Sequence, residues 1–248
     1  MEKNYNQNQR DLIKGKMHIL LTRPLEDSKD LILKFSSLGH KVSHLPVIKV
    51  EPIKYDEPDY SQFKGIIFTS SNAIKNLDLN RVDKKIECYC VGSATEKVAK
   101  LNGFQNIISA EGNVNNLKEL ILQNFNPKNG SLLYVSGEIV FSRLDKDLIS
   151  EGYSLKRLIN YTVSSTQEMK EEFRAQLKAS IPDIIYVYSE NSAKSLFNLL
   201  KKYDLLDSWM DTNLMCMGEK ASAILNEIKW KKIFLFNSGE EEFLLYKI

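Results

Sequence analysis

The chain of 248 residues is short of cysteine and histidine, with three of each. Cys88 and Cys90 share one face of a strand, so a metal or redox pair is conceivable there. No second Cys or His pair lies nearby, which favours two small apolar strand residues. His18, His40 and His44 crowd the first fifth of the chain without matching carboxylate or Cys positions, so no metal site is expected. An excess of either charge is missing as well. Lys and Arg number 34 against 32 Asp and Glu, for a formal net charge of +2. That is far from the basic excess of a nucleic-acid binder, so an anionic ligand has to be held by local donors. No run approaches the ~18 apolar residues of a membrane span. The opening "MEKNYNQNQRDLIKGK" is polar and lacks the apolar core of a signal peptide. A cytoplasmic location is therefore expected.

Catalytic signatures are absent too. No GxGxxG follows the first strand, so a dinucleotide site has no support, and no Walker A stretch offers a phosphate loop. No GxSxG elbow occurs, and His40 and His44 have no evident serine or cysteine partner. No acid–base pair is recognisable.

What is present is a regular alternation. "MHILLTRP", "KVSHLPVIKVEPI", "GIIFTS", "IECYCVG", "NIISAEG", "SLLYVSG", "YSLKRLINYTVSS", "PDIIYVYS", "TNLMCMG" and "KKIFLFNSG" read as strands. Helical-period segments separate most of them, three ending on Gly39, Gly103 and Gly152. Strands alternating with helices predict an α/β protein with mainly parallel sheets.

The pattern also repeats. Leu21 to Gly39 and Tyr134 to Gly152 are equal spans, and Ser70-Ser71-Asn72 lines up with Ser189-Glu190-Asn191. Each of those serines has a Lys five positions on (Lys75, Lys194), and Cys90-Val91-Gly92 matches Cys216-Met217-Gly218. Such matches in one order predict a duplication and two similar lobes. Parallel α/β sheets bind ligands outside the carboxyl ends of their strands. The repeated turns are therefore expected to line the two walls of a cleft.

The candidate ligand residues follow from those turns. Thr69, Ser70, Ser71, Asn72 and Ala73 can direct amides and hydroxyls at an anion where a helix begins. Gly92, Ser93, Ala94 and Thr95 can do the same, as can Ser136 and Gly137, and in the other lobe Ser189, Asn191, Ser192 and Ala193. Taken singly, each turn reads first as plain helix capping, whereas the whole set facing one cleft favours ligand binding.

The stretches "ILLTRP", "LPVIKVEP", "IIFTSSNAI", "CVGSATEKVAKLNGF", "LLYVSG", "LINYTV", "DIIYVYSENSA" and "CMGEKASAIL" together resemble the uroporphyrinogen-III synthase family, from about Met17 to Ser238. The resemblance implies two Rossmann- or flavodoxin-like lobes with parallel sheets, joined by a two-stranded connector, with the active-site cleft between them. It implies a discontinuous first lobe of 1–50 and 165–248, a second lobe of 56–160, and connectors near 47–55 and 158–164. The implied reaction cyclises hydroxymethylbilane to uroporphyrinogen III, with loss of water and inversion of the last ring through a spiro intermediate. No cofactor or metal is implied.

The resemblance also carries residue roles. The substrate has eight carboxylates, for which amides at helix starts are a reasonable receptor. Arg23, at the end of the first strand, is the leading charged candidate, or else a solvated surface Arg. Lys75 and Lys194 read as surface residues. Tyr161 in "NYTV" matches the family's tyrosine on the returning connector, implied to assist the departing hydroxyl. It reads equally as a packing residue over the lobe junction. After "CMG" the family's small hydroxyl residues are replaced by Glu219, Lys220 and Ala221, so Gly218 and Lys220 are the local candidates. Glu240, Glu241 and Glu242 are expected to open a final helix, leaving Ser238 for the ligand.

The implied partners are a small-molecule substrate, no nucleic acid and no membrane, for a monomer open to transient contact with the enzyme that makes the bilane. Two other classes are open: a two-lobed protein that closes on a small anion without chemistry, which the absent acid–base pair fits equally well, and a glycosyl- or phosphoryl-transfer enzyme, which the missing Gly-rich motifs disfavour.

Overall fold

The computed structural model describes residues 15–140, 142–237, 239–242 and 245. Eleven strands and eight α-helices alternate among them: β1 His18–Leu21, α1 Leu25–Ser37, β2 Lys41–His44, β3 Ile48–Pro52, β4 Phe63–Phe68, α2 Ser71–Lys75, β5 Glu87–Val91, α3 Gly92–Leu101, β6 Asn106–Ala110, α4 Val114–Asn124, β7 Ser131–Gly137, α5 Leu144–Ser150, β8 Leu155–Ser165, α6 Glu171–Ala179, β9 Ile184–Val187, α7 Glu190–Lys202, β10 Asn213–Cys216, α8 Glu219–Leu225 and β11 Lys232–Leu235. The fold is α/β, with two sheets.

The chain divides into two compact units. One takes the described residues up to Lys49 and those from Ser164 onward; the other is Val50–Val163. The first unit's sheet has the order β11-β10-β9-β1-β2, with every neighbouring pair parallel. The second sheet runs β3-β8-β7-β4-β5-β6, parallel from β8 through β6.

The strands are apolar because helices cover both faces of such sheets. In the second unit Ile66, Phe68, Cys88, Cys90, Leu133 and Val135 pack on one face. Their neighbours Ile67, Tyr89, Leu132 and Tyr134 pack on the other. The first unit alternates likewise, with Leu20, Ile185, Val187 and Leu214 on one face and Ile19, Leu21, Ile184 and Tyr186 on the other. Burying each such side chain contributes roughly 1.5–3 kcal/mol.

The sequence repeats fall on equivalent strands. If β9, β10, β11, β1 and β2 are set against β4, β5, β6, β7 and β8, the two sheets have the same spatial order. The chain merely enters each sheet at a different strand. Gly39 and Gly152, which close the equivalent helices α1 and α5, both have φ +86°, a left-handed conformation that glycine adopts without a Cβ clash.

Two expectations are corrected. "KVSHLPVIKVEPI" is not one strand: β2 and β3 belong to different sheets, and the break falls at Leu45-Pro46-Val47. Pro46 has no N–H to continue a ladder. Leu45 and Val47 instead donate to the Leu21 and Thr22 carbonyls, carrying the chain past the end of β1. At the C-terminus, 239–242 forms turns and not the first turn of a helix. Side-chain contacts described below hold those glutamates.

Candidate functional site

Each unit gathers its candidate residues at the carboxyl edge of its own sheet. In the second unit Phe68 pairs with both Cys90 and Val135, so the segments starting at Thr69, Val91 and Ser136 leave the sheet side by side. In the first, Leu21 pairs with Tyr186 and Val187 with Cys216, which brings together the exits at Thr22, Tyr188 and Met217. The topological switch points, where ligands of such sheets bind, lie between β4 and β7 and between β1 and β9.

At the second unit's switch point the Thr69 and Tyr134 hydroxyls are 3.1 Å apart. Burial pushes the Tyr134 phenol above its ordinary pKa, and the hydrogen bond with Thr69 partly opposes it. Ser70 caps the short helix α2, accepting from the Asn72 N–H at 3.2 Å, and the Ala73 N–H donates to the Ser70 carbonyl. Those donors are therefore engaged, leaving the Ser71 N–H as the one this cap does not use. Five residues also make a weak dipole.

The next exit is more open. Helix α3 has ten residues and no side-chain cap. Gly92 begins it at φ +78°, and a Cβ there would meet nothing within 4 Å. Ser93 and Ala94 are exposed, whereas Thr95 is buried. The amides of Gly92, Ser93 and Ala94 are the clearest uncapped donors of this edge.

At the third exit Ser136 is buried and accepts from Arg157 Nε at 2.8 Å. Arg157 Nη2 donates to the Gly137 and Glu138 carbonyls at 2.8 and 3.0 Å. The Tyr161 ring lies directly over Gly137, where an added Cβ would come within 2.8 Å of Cζ. Tyr161 is buried in the same apolar cluster as Phe68, Ala73 and Val135. Thr69, the 70–73 turn, Ser136, Gly137 and Tyr161 are thus neighbours within one unit. Arg157, Tyr134 and Asn160 complete the group and were not predicted. The only sequence signal for Arg157 is a cation four positions before Tyr161 on one strand.

The first unit presents a parallel arrangement with different chemistry. Ser189 caps the long helix α7, accepting from the Ser192 N–H at 3.1 Å, while the Ala193 N–H reaches the Ser189 carbonyl. Ser192 and Ala193 are buried, so this cap leaves the Asn191 N–H. Gly218 precedes α8, which has no side-chain cap, and Lys220 is exposed on its first turn. Lys194 donates to Glu190 at 2.6 Å and holds that carboxyl below the usual range, with Lys220 adding to the effect.

Arg23 is not a solvated surface cation. Its guanidinium stacks 3.5 Å from the Tyr188 ring centroid and lies 3.6 Å from Glu241. Glu241 is buried, accepts from the Gly239 N–H at 2.9 Å, and offers its carbonyl to the Tyr186 hydroxyl at 2.6 Å. Glu242 pairs with Lys34, and Glu240 accepts from the Asn237 N–H. These contacts explain the turn at 239–242. Burial also pushes the Tyr188 phenol far up. Ser238 lies outside the described residues.

Cys88 and Cys90 have their sulfurs 3.8 Å apart in the core, and burial raises Cys216 to about 12. Among the described residues no three His, Cys, Asp or Glu side chains gather as metal ligands, and no helix is long and apolar enough to cross a membrane. An open depression of about 640 Å³ lies at the opposite, amino end of the second sheet, with Tyr60, Lys64, Arg81 and Lys85 in its wall. None of the candidate residues lines it.

Comparison with known proteins agrees with this architecture. The family model described as "Uroporphyrinogen-III synthase HemD" matches residues 29–235. A curated uroporphyrinogen-III synthase from Chlorobaculum parvum is 22% identical over 233 residues, covering 85% of this chain and 89% of that protein. The crystal structure of uroporphyrinogen-III synthetase from Helicobacter pylori superposes with a TM-score of 0.61 at 18% identity, covering 94% of this chain and 100% of the other. A mutant uroporphyrinogen III synthase from Thermus thermophilus gives 0.56 at 14% identity, covering 93% and 96%. Those structures share the fold. The family match spans most of the chain, which therefore belongs to the uroporphyrinogen-III synthase family, cyclising lyases of tetrapyrrole synthesis.

Proposed function

We propose that this chain cyclises hydroxymethylbilane to uroporphyrinogen III and releases water. The terminal hydroxyl leaves to give an azafulvene, and the substituted carbon of the last ring attacks it. The resulting spiro intermediate fragments and recloses with that ring reversed. Closure without enzyme gives the unflipped isomer, so the protein's task is to orient and stabilise a reactive intermediate. The observation that carries the reading is the family match over residues 29–235.

The carboxyl-edge turns support it as receptors for the substrate's carboxylates, foremost the uncapped amides of Gly92, Ser93 and Ala94 and those preceding Lys220. The Ser71 and Asn191 amides add to them, with the Thr69 and Ser136 hydroxyls nearby in their own unit. Tyr161 is proposed to donate a hydrogen bond to the departing hydroxyl. The Glu241 carboxylate already balances Arg23, so we assign Arg23 a structural role. A monomer in the cytoplasm, in transient contact with the enzyme that supplies the bilane, completes the reading.

The test is to incubate purified protein with hydroxymethylbilane, oxidise the products and separate the uroporphyrin isomers. Isomer III in excess over the enzyme-free control is expected. Isomer I alone, from folded protein, rejects the lyase and leaves a two-lobed anion-binding protein.

A further inference from the structure

The register of β7 against β8 slips at its end. Ser136 pairs with Ile159, but the next pair is Gly137 with Tyr161, so Asn160 is the extra residue of a β-bulge. A bulge re-aims the side chains that follow it. Here it turns the Tyr161 ring over Gly137, where the missing side chain makes room. A Cβ on Gly137 would lie 2.8 Å from Cζ, 2.9 Å from Cε2 and 3.1 Å from the hydroxyl oxygen. Contacts under 3.0 Å force a shift, and here they fall on the hydroxyl end of the ring.

Asn160 is itself fully buried. Its Nδ2 donates to the Ala73 carbonyl at 2.7 Å, which ties the bulge to the 70–73 turn. Its Oδ1 has no partner among the described residues. An unpaired buried acceptor is costly, so the amide is kept there against its own desolvation. The backbone is fixed from the other side as well, since the Glu138 N–H donates to the Tyr161 carbonyl at 2.9 Å. Among the described residues the Tyr161 ring is surrounded by the Gly137 backbone and the apolar cluster that holds Phe68, Ala73 and Val135.

We propose that Gly137 and the bulged Asn160 are positioning residues that set the direction of the Tyr161 hydroxyl. The inference rests on the reading that Tyr161 acts on the departing group, and its test separates the two.

The chain has 11 tyrosines, so 3-fluorotyrosine labelling gives a fluorine spectrum in which the Tyr161 line is the one lost in Tyr161→Phe. In Gly137→Ala the Tyr161 line is expected to move while lines of first-unit tyrosines stay in place. Asn160→Ala, which keeps the glycine floor but frees the Ala73 carbonyl, is expected to move the same line and serves if Gly137→Ala does not fold. A Tyr161 line that stays in place in both variants overturns the proposal.

Kinetics then test its consequence. Gly137→Ala is expected to lower kcat about as much as Tyr161→Phe, roughly tenfold, with KM within about twofold. The double variant is expected to be no slower than either single one, because both remove the same aimed hydroxyl. Independent, multiplying losses overturn the proposal. If the line moves but Tyr161→Phe leaves kcat unchanged, the positioning stands and the catalytic reading of Tyr161 falls.

Discussion

The two units reach the same strand order with different chemistry at equivalent switch points. Setting β1 against β7 puts Arg23 opposite Ser136, and setting β9 against β4 puts Tyr188 opposite Thr69. In the first unit that pair is a guanidinium on an aromatic ring, closed by the buried Glu241 carboxylate. In the second it is two small hydroxyl residues, with Arg157 supplied from the next strand and held by carbonyls and the Ser136 hydroxyl. One edge has its charge balanced internally by the C-terminal turn. The other keeps a guanidinium that meets no carboxylate in those contacts. Two sheets of one strand order thus place their turns alike without giving them the same chemistry.

Breaking the first unit's balance should have the largest effect. Arg23→Ala leaves Glu241 buried opposite no cation and is expected to destabilise the protein by about 3 kcal/mol in urea unfolding. Arg23→Ala combined with Glu241→Gln should recover much of that loss. If Arg23→Ala changes stability by less than about 0.5 kcal/mol, the ion pair does not organise the 239–242 turn.

The capped helix starts give a finer comparison. Ser189→Ala removes the cap of a 13-residue helix and is expected to cost about 1 kcal/mol. Ser70→Ala acts on a helix of five residues and should cost less. Equal losses would show that helix length does not matter at these turns.

The smallest effect is that of pH. Burial holds His40 below its ordinary value of 6.5, and burial followed by Lys41 does the same for His18. The unfolded chain binds the protons more readily, so stability is complete above about 6.5 and declines as pH falls below it. His40→Gln, which retains an acceptor for the Met17 N–H, should flatten part of that decline. An unchanged pH profile would remove His40 from the account.

Much of this was legible in the sequence for local reasons. Fully buried parallel strands must be apolar runs, and Gly39 and Gly152 mark helix ends by their backbone, so elements and repeats could be read directly. Pro46 is a sequence signal for the break between β2 and β3, although the run around it is apolar enough to read as one strand. What stayed hidden depends on tertiary register. Glu241 meets Arg23 from the far end of the chain, and the bulge at Asn160 exists only in the pairing of β7 with β8. The capping roles of Ser70 and Ser189 were visible as an alternative, and the structure shows both caps made.

On the proposed reading, amides at the start of α3, and not Arg23, hold substrate carboxylates. The most direct measurement is KM for hydroxymethylbilane in Ser93→Pro beside Arg23→Gln. Proline is tolerated in the first turn of a helix and removes a single N–H. The account predicts that Ser93→Pro raises KM several-fold with the fold intact, while Arg23→Gln leaves KM near the parent value in the protein that remains folded. An unchanged KM in Ser93→Pro together with a raised KM in Arg23→Gln would contradict it.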